Sequence, residues 1–458
     1  MENSNRNYEN PQGNYTRTSK IDIKEMLGYG LGDFGYILSW TLVSAFLTFF
    51  YTDVAGISAG LVGTLMILVR VWDGISDVGM GFIVDRTTSK HGKARPYLIW
   101  MPIPLAITLL LLFTVPDISD GGKFAYAAIT YSLFILMYTA VTIPYKTLLG
   151  QMTQDQQSRS FLGVIGAVFI QVSAFIVTVF TEPVANAIGG QRGWVITATL
   201  YGIVTITTLF ITFISTKERV DESSVNNNKQ IKSTLILDIK LLFKNRYWLI
   251  MTVYCIVYYL LMGLVGAELY YATYIIGNTS FFSLISIVKY GPAIIALLLT
   301  GFYIKRYGKR NTALLGTVLL MISAAVKIII PTSAILFLIG SMIYGVAKGL
   351  FVATIYSMIN DTVDYGEWKT GKRIGGLVNS GASFGMKVGT GIGTALIGWL
   401  LAFGGYVPNA AQQSVLTIQM IYTLNIYIPF ILGVCCFILL LAYKLDKIYP
   451  QIINDLNK

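Results

Sequence analysis

The chain alternates long apolar runs with short polar turns, and it does so twelve times. The runs cover about 27–52, 57–84, 97–115, 124–148, 161–181 and 194–215, then about 247–276, 281–303, 312–330, 334–359, 374–403 and 416–444. Most approach or exceed the roughly 20 residues that an α-helix needs to cross a ~30 Å hydrocarbon layer. Apolar residues within them are continuous and do not alternate with period two, so they read as helices packed among lipid and one another. The pattern predicts an all-α membrane protein with twelve transmembrane helices. The longest polar interruption, 216–246, separates six helices from six. It holds "TKERVDESSVNNNKQIKS", which has no apolar periodicity, and then an amphipathic "LILDIKLLFKN" suited to a membrane surface. The expected organisation is a tail at 1–26, a bundle at 27–215, a linker at 216–246, a bundle at 247–446 and a tail at 447–458.

Composition agrees with this pattern. Of 458 residues, 54% are hydrophobic and 12% charged, where a soluble domain carries about 25% charged residues. Of the 34 Lys and Arg, 26 fall in the tails, the linker and the even-numbered loops, and only Lys123 and Arg192 in the odd-numbered ones. That bias predicts a multi-pass plasma-membrane protein with both termini in the cytoplasm. The net charge of +11 therefore reports topology, not nucleic-acid binding. The first apolar run is too long for the core of a cleaved signal peptide. Cys255, Cys435 and Cys436 all lie in apolar segments and His91 is the single histidine, so neither a disulfide framework nor a Cys/His metal centre is expected. Walker A, G-x-S-x-G and H-E-x-x-H motifs are missing, which argues against an enzyme or an ATP-driven pump and predicts no cofactor. Any driving force would come from an ion gradient.

Two short segments repeat. "GFIVDRTTSKHGKARP" follows the second apolar run and "GFYIKRYGKRN" the eighth. Gly81 and Gly301 start them 220 residues apart. Two related six-helix halves with basic inward turns are the pattern of major facilitator transporters.

Ten ionisable residues lie inside the apolar runs, where each is costly unless paired or hydrated. The acids are Asp33, Asp73, Asp77 and Glu268; the bases are Arg70, Lys146, Lys289, Lys327, Lys348 and Lys387. Asp73 and Asp77 are four residues apart and share one helical face, with Arg70 one turn away. At ~1.5 Å per residue from Asp85, they sit about 18 Å and 12 Å deep. Such a pair needs a bound cation such as Na⁺, a shared proton, or basic partners. The plainer alternative is a structural contact in which Arg70 and Lys387 neutralise the acids. Lys387 lies in "IGGLVNSGASFGMKVGTGIGTALIG", whose small residues let helices approach closely, so it is expected to face the interior. Lys327, near a helix end, is expected to snorkel to the interface. Glu268 and Lys289 are candidates for a gate, a substrate contact or an ion pair, and Asp33 for packing or cavity lining. Six bases against four acids suit an anionic solute better than a neutral one.

Three segments, "FFYTDVAGISAGLVGTLMILVRVWDGISDVGMGFIVD", "YTAVTIPY" and "NDTVDYGEWKTGKRIGG", resemble the glycoside–pentoside–hexuronide:cation symporters, a family of major facilitator transporters that includes melibiose, glucuronide, xyloside and isoprimeverose carriers. The resemblance implies the major facilitator fold, twelve helices in two pseudo-symmetric halves. It implies a cation site for Na⁺, H⁺ or possible Li⁺ at Asp73, Asp77, Ser76 and Thr139, with Arg70 and Lys387 as its charge network. Substrate-binding candidates are Tyr138, Thr142, Lys146, Asp33 and Glu268. Gate candidates are Asp85, Arg86, Arg159, Asp361, Asp364, Glu367 and Arg373, the last four in an acidic loop motif before the eleventh helix. The basic cytoplasmic loops and the segment Asp361–Arg373 are expected to form ion-pair locks at the cytoplasmic side. Where melibiose carriers have sugar-binding aspartates, this chain has Ile37 and Thr142, and Lys146 replaces a sugar-stacking tryptophan. That pocket is less negative, which suits a uronate carboxylate while leaving neutral xylosides open. The expected partners are a small glycoside, a coupling cation and membrane lipid. The alternatives are a non-transporting sugar sensor and a carrier of lipid-like molecules on the same fold.

Overall fold

Each apolar run becomes a helix in the computed structural model, which describes residues 21–153, 155–219 and 240–456. The first half holds α1 (Ile23–Val54), α2 (Ala59–Arg86), α3 (Tyr97–Leu112), α4 (Asp120–Met152), α5 (Gln156–Ile188) and α6 (Gly190–Ser215). The second holds α7 (Arg246–Ile276), α8 (Phe281–Tyr307), α9 (Lys309–Ile329), α10 (Ala334–Thr370), α11 (Gly375–Phe403) and α12 (Val415–Ala442). A further helix, α13, spans Leu445–Leu456. Eleven of the twelve are long and apolar enough to span a membrane, and the twelfth, α3, is a shorter apolar helix. Among the described residues there is no β-strand. The first tail, apart from its last residues, and the amphipathic segment up to 239 lie outside the described residues.

Side-chain caps set several of the starts. The Ser119 hydroxyl accepts from the Gly122 amide at α4, and the Asp155 carboxylate from the Ser158 amide at α5. The largest departure from the sequence pattern is α10, which continues past 359 to Thr370 and ends at Gly371 with φ +69°. The "acidic loop motif" is therefore the last turns of a helix. Its charges resemble a loop in a hydropathy window, but they are helical residues that run beyond the apolar part. The expected polar tail after 446 is likewise helical, and α13 buries Leu445 and Ile452 against the second half.

In the first half α1 packs against α5 and α6, α2 against α4, and α3 against α4 and α6. The Gly-rich start of α1 lets hydroxyls reach its backbone: Ser173, Thr205 and Thr212 donate to the carbonyls of Phe34, Gly35 and Gly28. In the second half α7 packs against α11 and α12, α8 against α10, and α9 against α10 and α12. The halves meet along α2–α11 and α5–α8, pairs that exchange under a twofold relation of the halves. At the first seam backbone nearly touches backbone: a Cβ on Gly63 would lie 2.7 Å from the Ala395 carbonyl oxygen. Outward faces are apolar. On α2, Val71, Ile75 and Val78 are exposed while Arg70, Asp73 and Ser76 on the opposite face are buried, as expected of a helix with lipid on one side.

The repeated basic turns are built alike. After α2, the amides of Lys93, Ala94 and Arg95 donate to the Glu218 carboxylate at 2.8–2.9 Å, and Arg95 Nη2 donates to the Phe213 carbonyl of α6 at 2.8 Å. After α8, the Arg310 amide donates to Asp446 at 2.9 Å, and the Arg310 guanidinium donates to the Leu440 and Leu441 carbonyls of α12. In both halves an acid just past the sixth helix captures the turn, and an arginine from that turn caps the C-terminal end of the sixth helix.

The two ends of the molecule differ. One apolar core runs from the first half into α7, α11 and α12 through Leu264, Tyr270, Ile397, Leu401 and Ile421. A second is confined to the other half, around Trp248, Tyr254, Phe351 and Ile355. The halves thus share a core at the end opposite the basic turns.

Candidate functional site

Helical spacing on α2 directs Arg70, Asp73 and Ser76 inward, with Asp77 at the edge of the same face. Lys387 of α11 reaches across the seam to both carboxylates. Its ammonium donates to Asp73 Oδ1 at 3.0 Å and to Asp77 Oδ2. Arg70 Nη1 lies 3.6 Å from Asp73 Oδ2. From α4, the Thr139 hydroxyl donates to Asp77 Oδ1 at 3.1 Å and sits 3.3 Å from Ser76 Oγ. Two carboxylates thus share one ammonium group, and the Thr139 and Ser76 hydroxyls adjoin them. The oxygen set fits a small monovalent cation. Among the described residues no group of three or more His, Cys, Asp or Glu could form a metal centre of another kind.

The site continues into an aromatic wall. The Arg70 guanidinium lies over the Trp40 ring at 4.4 Å, and Trp40 stacks on Tyr138 at 4.9 Å. Tyr138 meets Tyr36 edge-on. The Tyr36 hydroxyl donates to Asp33 Oδ1 at 2.7 Å, while the Asp33 amide donates to the Tyr145 hydroxyl, which itself donates to the Tyr29 carbonyl. Asp33 is therefore a buried carboxylate held by a phenol. Thr142 is buried one turn from Thr139, whereas Lys146, a further turn along, is exposed and makes no hydrogen bond or ion pair among the described residues. It lies within electrostatic reach of Asp77, Lys387, Asp33 and Asp73.

Glu268 of α7 pairs with Lys289 of α8 and stands apart from the Asp33–Asp77 group. Lys327 does not snorkel: it is buried with its ammonium group 4.0 Å over the Phe337 ring. The reading from its position near a helix end missed that α10 covers it. Lys348 is buried too, over Tyr290 at 4.0 Å.

The gate candidates do not bridge the halves. Asp85 and Arg86 are exposed, with Arg86 over its own-helix Phe82. Arg159 donates to the carbonyls of Thr153 and Gly150. The segment Asp361–Arg373 does pair with the basic turn after α8, and its ion pairs stay within the second half. Asp361 takes Lys309 at 2.6 Å, and Arg373 donates to Asp364 at 2.9 Å and to Glu367 at 2.5 Å. The hydrogen bond to Glu367 raises the Arg373 pKa further. Because the motif is helical, Asp361 turns toward α9 instead of toward the α10–α11 loop.

Two acids absent from the sequence reading join the halves at the opposite end. Asp53, in the last turn of α1, accepts from Tyr406 at 2.5 Å and from Tyr274, and its carbonyl accepts from Asn409 at 2.7 Å. Thr52 bonds Tyr270 at 2.7 Å. Glu182 of α5 accepts from Thr279, and from Ser280 at 3.4 Å. Both acids fall just past the apolar windows assigned to their helices and so read as loop residues. Their one signal was "FYTDV", an acid amid aromatics.

Residues 28–447 match the family described as MFS/sugar transport protein. The chain is 35% identical to the isoprimeverose transporter of Lactiplantibacillus pentosus over 96% of this chain and 92% of that protein. It is 34% identical to the inner membrane symporter YicJ of Escherichia coli (strain K12) over 90% of each. Among solved structures, a proton-dependent oligopeptide transporter superposes with TM-score 0.65 at 12% identity, covering 93% of this chain and 99% of that one, a likeness of fold alone.

Proposed function

This chain belongs to the MFS/sugar transport family of major facilitator symporters, and from that premise we propose that it imports a glycoside, pentoside or hexuronide across the plasma membrane with Na⁺ or H⁺ by alternating access. The observation that carries the reading is Lys387 lying between Asp73 and Asp77 across the α2–α11 seam. Lys387 is shared by two carboxylates, one of which also faces Arg70, and it reaches them across a seam that must open and close. A cation entering the site would replace Lys387, free α11 from α2 and leave Asp73 and Asp77 neutralised. Sugar would then bind between Trp40, Tyr138, Thr142 and Lys146, beside Asp33. The relative carrying isoprimeverose supports a xyloside-type substrate; the unpaired Lys146 also admits a uronate.

The basic turns set the proposed cytoplasmic side, with both termini there, so the shared core closes the outer side and the cavity opens inward. The test is uptake of labelled xylosides and glucuronides into vesicles with imposed Na⁺ or H⁺ gradients. The wild type should accumulate sugar only with the coupling gradient. Asp73→Asn with Asp77→Asn should abolish accumulation while leaving downhill exchange measurable. Gradient-dependent accumulation by that double variant would refute the reading.

A further inference from the structure

The second half holds a positive charge that the cation site does not use. Glu268 is balanced by Lys289. Lys348 and Lys327, 8% and 6% exposed, then have only the faces of Tyr290 and Phe337 beside them. Both lie within electrostatic reach of Glu268 and Lys289, and among the described residues no second carboxylate joins them. The ammonium groups of Lys348 and Lys289 lie 4.0 Å and 5.4 Å from the centroid of the same Tyr290 ring. The two charges are thus close neighbours on α8 and α10. A cation–π contact offsets only part of the cost of burying an ammonium group, and an unpaired buried charge is strongly unfavourable.

A second observation points the same way. Ser283 and Ser286 on α8, and Tyr258 on α7, are buried hydroxyls without a hydrogen-bond partner. Ser286 is one helical turn from Lys289, and Ser283 a further turn on. Buried hydroxyls of this kind normally find a partner in the protein or in something bound to it. Unmatched ammonium groups and unmatched donors on adjoining helices describe a site built for an acceptor that carries negative charge.

We propose that α7, α8 and α10 form an anion-binding subsite in the second half, in which Lys348 holds a small oxyanion or halide beside Tyr290, next to the Glu268–Lys289 pair. The anion is either the carboxylate of an acidic glycoside or a free inorganic ion such as chloride. The first source rests on the transport reading above; the second does not.

The test uses the full chain in proteoliposomes, with methyl β-glucuronide and methyl β-xyloside as an acidic and neutral pair. If the anion is the substrate's carboxylate, Lys348→Gln lowers the glucuronide-to-xyloside ratio of kcat/KM about thirtyfold or more, as loss of a buried charged partner does, and Lys348→Arg restores it. If the anion is inorganic, replacing chloride by the bulky HEPES anion slows uptake of both sugars, and Lys348→Gln removes that dependence. Uptake of both sugars with neither effect overturns the subsite and leaves transport standing. Thermal unfolding of the detergent-solubilised wild type decides the matter without transport or variants. Methyl glucuronide or chloride should raise the Tm more than methyl xyloside, and equal or no stabilisation overturns the proposal. Absence of any sugar uptake would instead count against the transport reading.

Discussion

A lysine that fills a cation's place competes with that cation. The Lys387 ammonium group takes acceptors from both Asp73 and Asp77, so on the proposed mechanism an entering cation must first displace it. Removing it with Lys387→Met should raise apparent affinity for the coupling ion about tenfold, roughly 1.4 kcal/mol. Turnover should fall, because the empty carrier then keeps two carboxylates at its seam with only Arg70 to balance them. The check is sugar uptake against cation concentration; an unchanged half-saturation point would refute the competition. At this scale the sequence was legible wherever spacing alone fixed direction. Asp73 and Asp77 are four residues apart on one helix, so any helix must present them together. It was not legible where a partner from a distant helix decides the outcome. Nothing in "AAVKIII" reveals that Phe337 covers Lys327, and nothing in "NDTVDYGEWK" says which lysine Asp361 takes.

Seams between elements depend on small residues as much as on charges. A Cβ at Gly391 of α11 would lie 2.7 Å from Arg70 Cγ and 3.1 Å from its Cβ, so Gly391→Val should push Arg70 off both Trp40 and Asp73. Overpacking of this kind costs about 1–3 kcal/mol. The variant should show a lower unfolding midpoint in detergent and looser coupling of cation to sugar. Gly74, on α2 itself, has no atom within 4 Å of an added Cβ, and Gly74→Ala should leave the midpoint where it is. Equal loss in both variants would show that the seam has no special closeness at Gly391. Element lengths explain where hydropathy fell short. The windows found all twelve helices because lipid contact demands continuous apolar surface. They ended α10 eleven residues early because its last turns leave the apolar layer, where ion pairs to Lys309 and Arg373 and the Tyr449 hydroxyl on Asp364 take over from lipid.

Across the whole molecule the closed end is held by neutral donors on buried acids, while the ion pairs described at the basic end stay within single halves. Two six-helix halves were legible from a repeated motif and the linker; which end closes was not, because it depends on contacts between halves. Asp53 is the centre of the closed end: it accepts from Tyr406 and Tyr274, which are themselves 2.8 Å apart. Among the described residues no cation pairs with it, so its hold on the second half is a set of hydrogen bonds that can be removed singly. One such bond is worth about 1 kcal/mol, or about fivefold in a two-state population. Tyr406→Phe should therefore raise the fraction of molecules open at this end about fivefold. Tyr274→Phe with Tyr406→Phe should do more, though less than the product of the two, since they share one acceptor. Spin labels at the ends of α1 and α7, with distances measured by pulsed electron resonance, report that fraction directly. Asp53→Asn keeps an acceptor oxygen and should open the end less than the double phenylalanine variant does. If all three variants keep the wild-type distance distribution, the shared apolar core around Leu264, Ile397 and Leu401, and not the Asp53 cluster, holds this end shut.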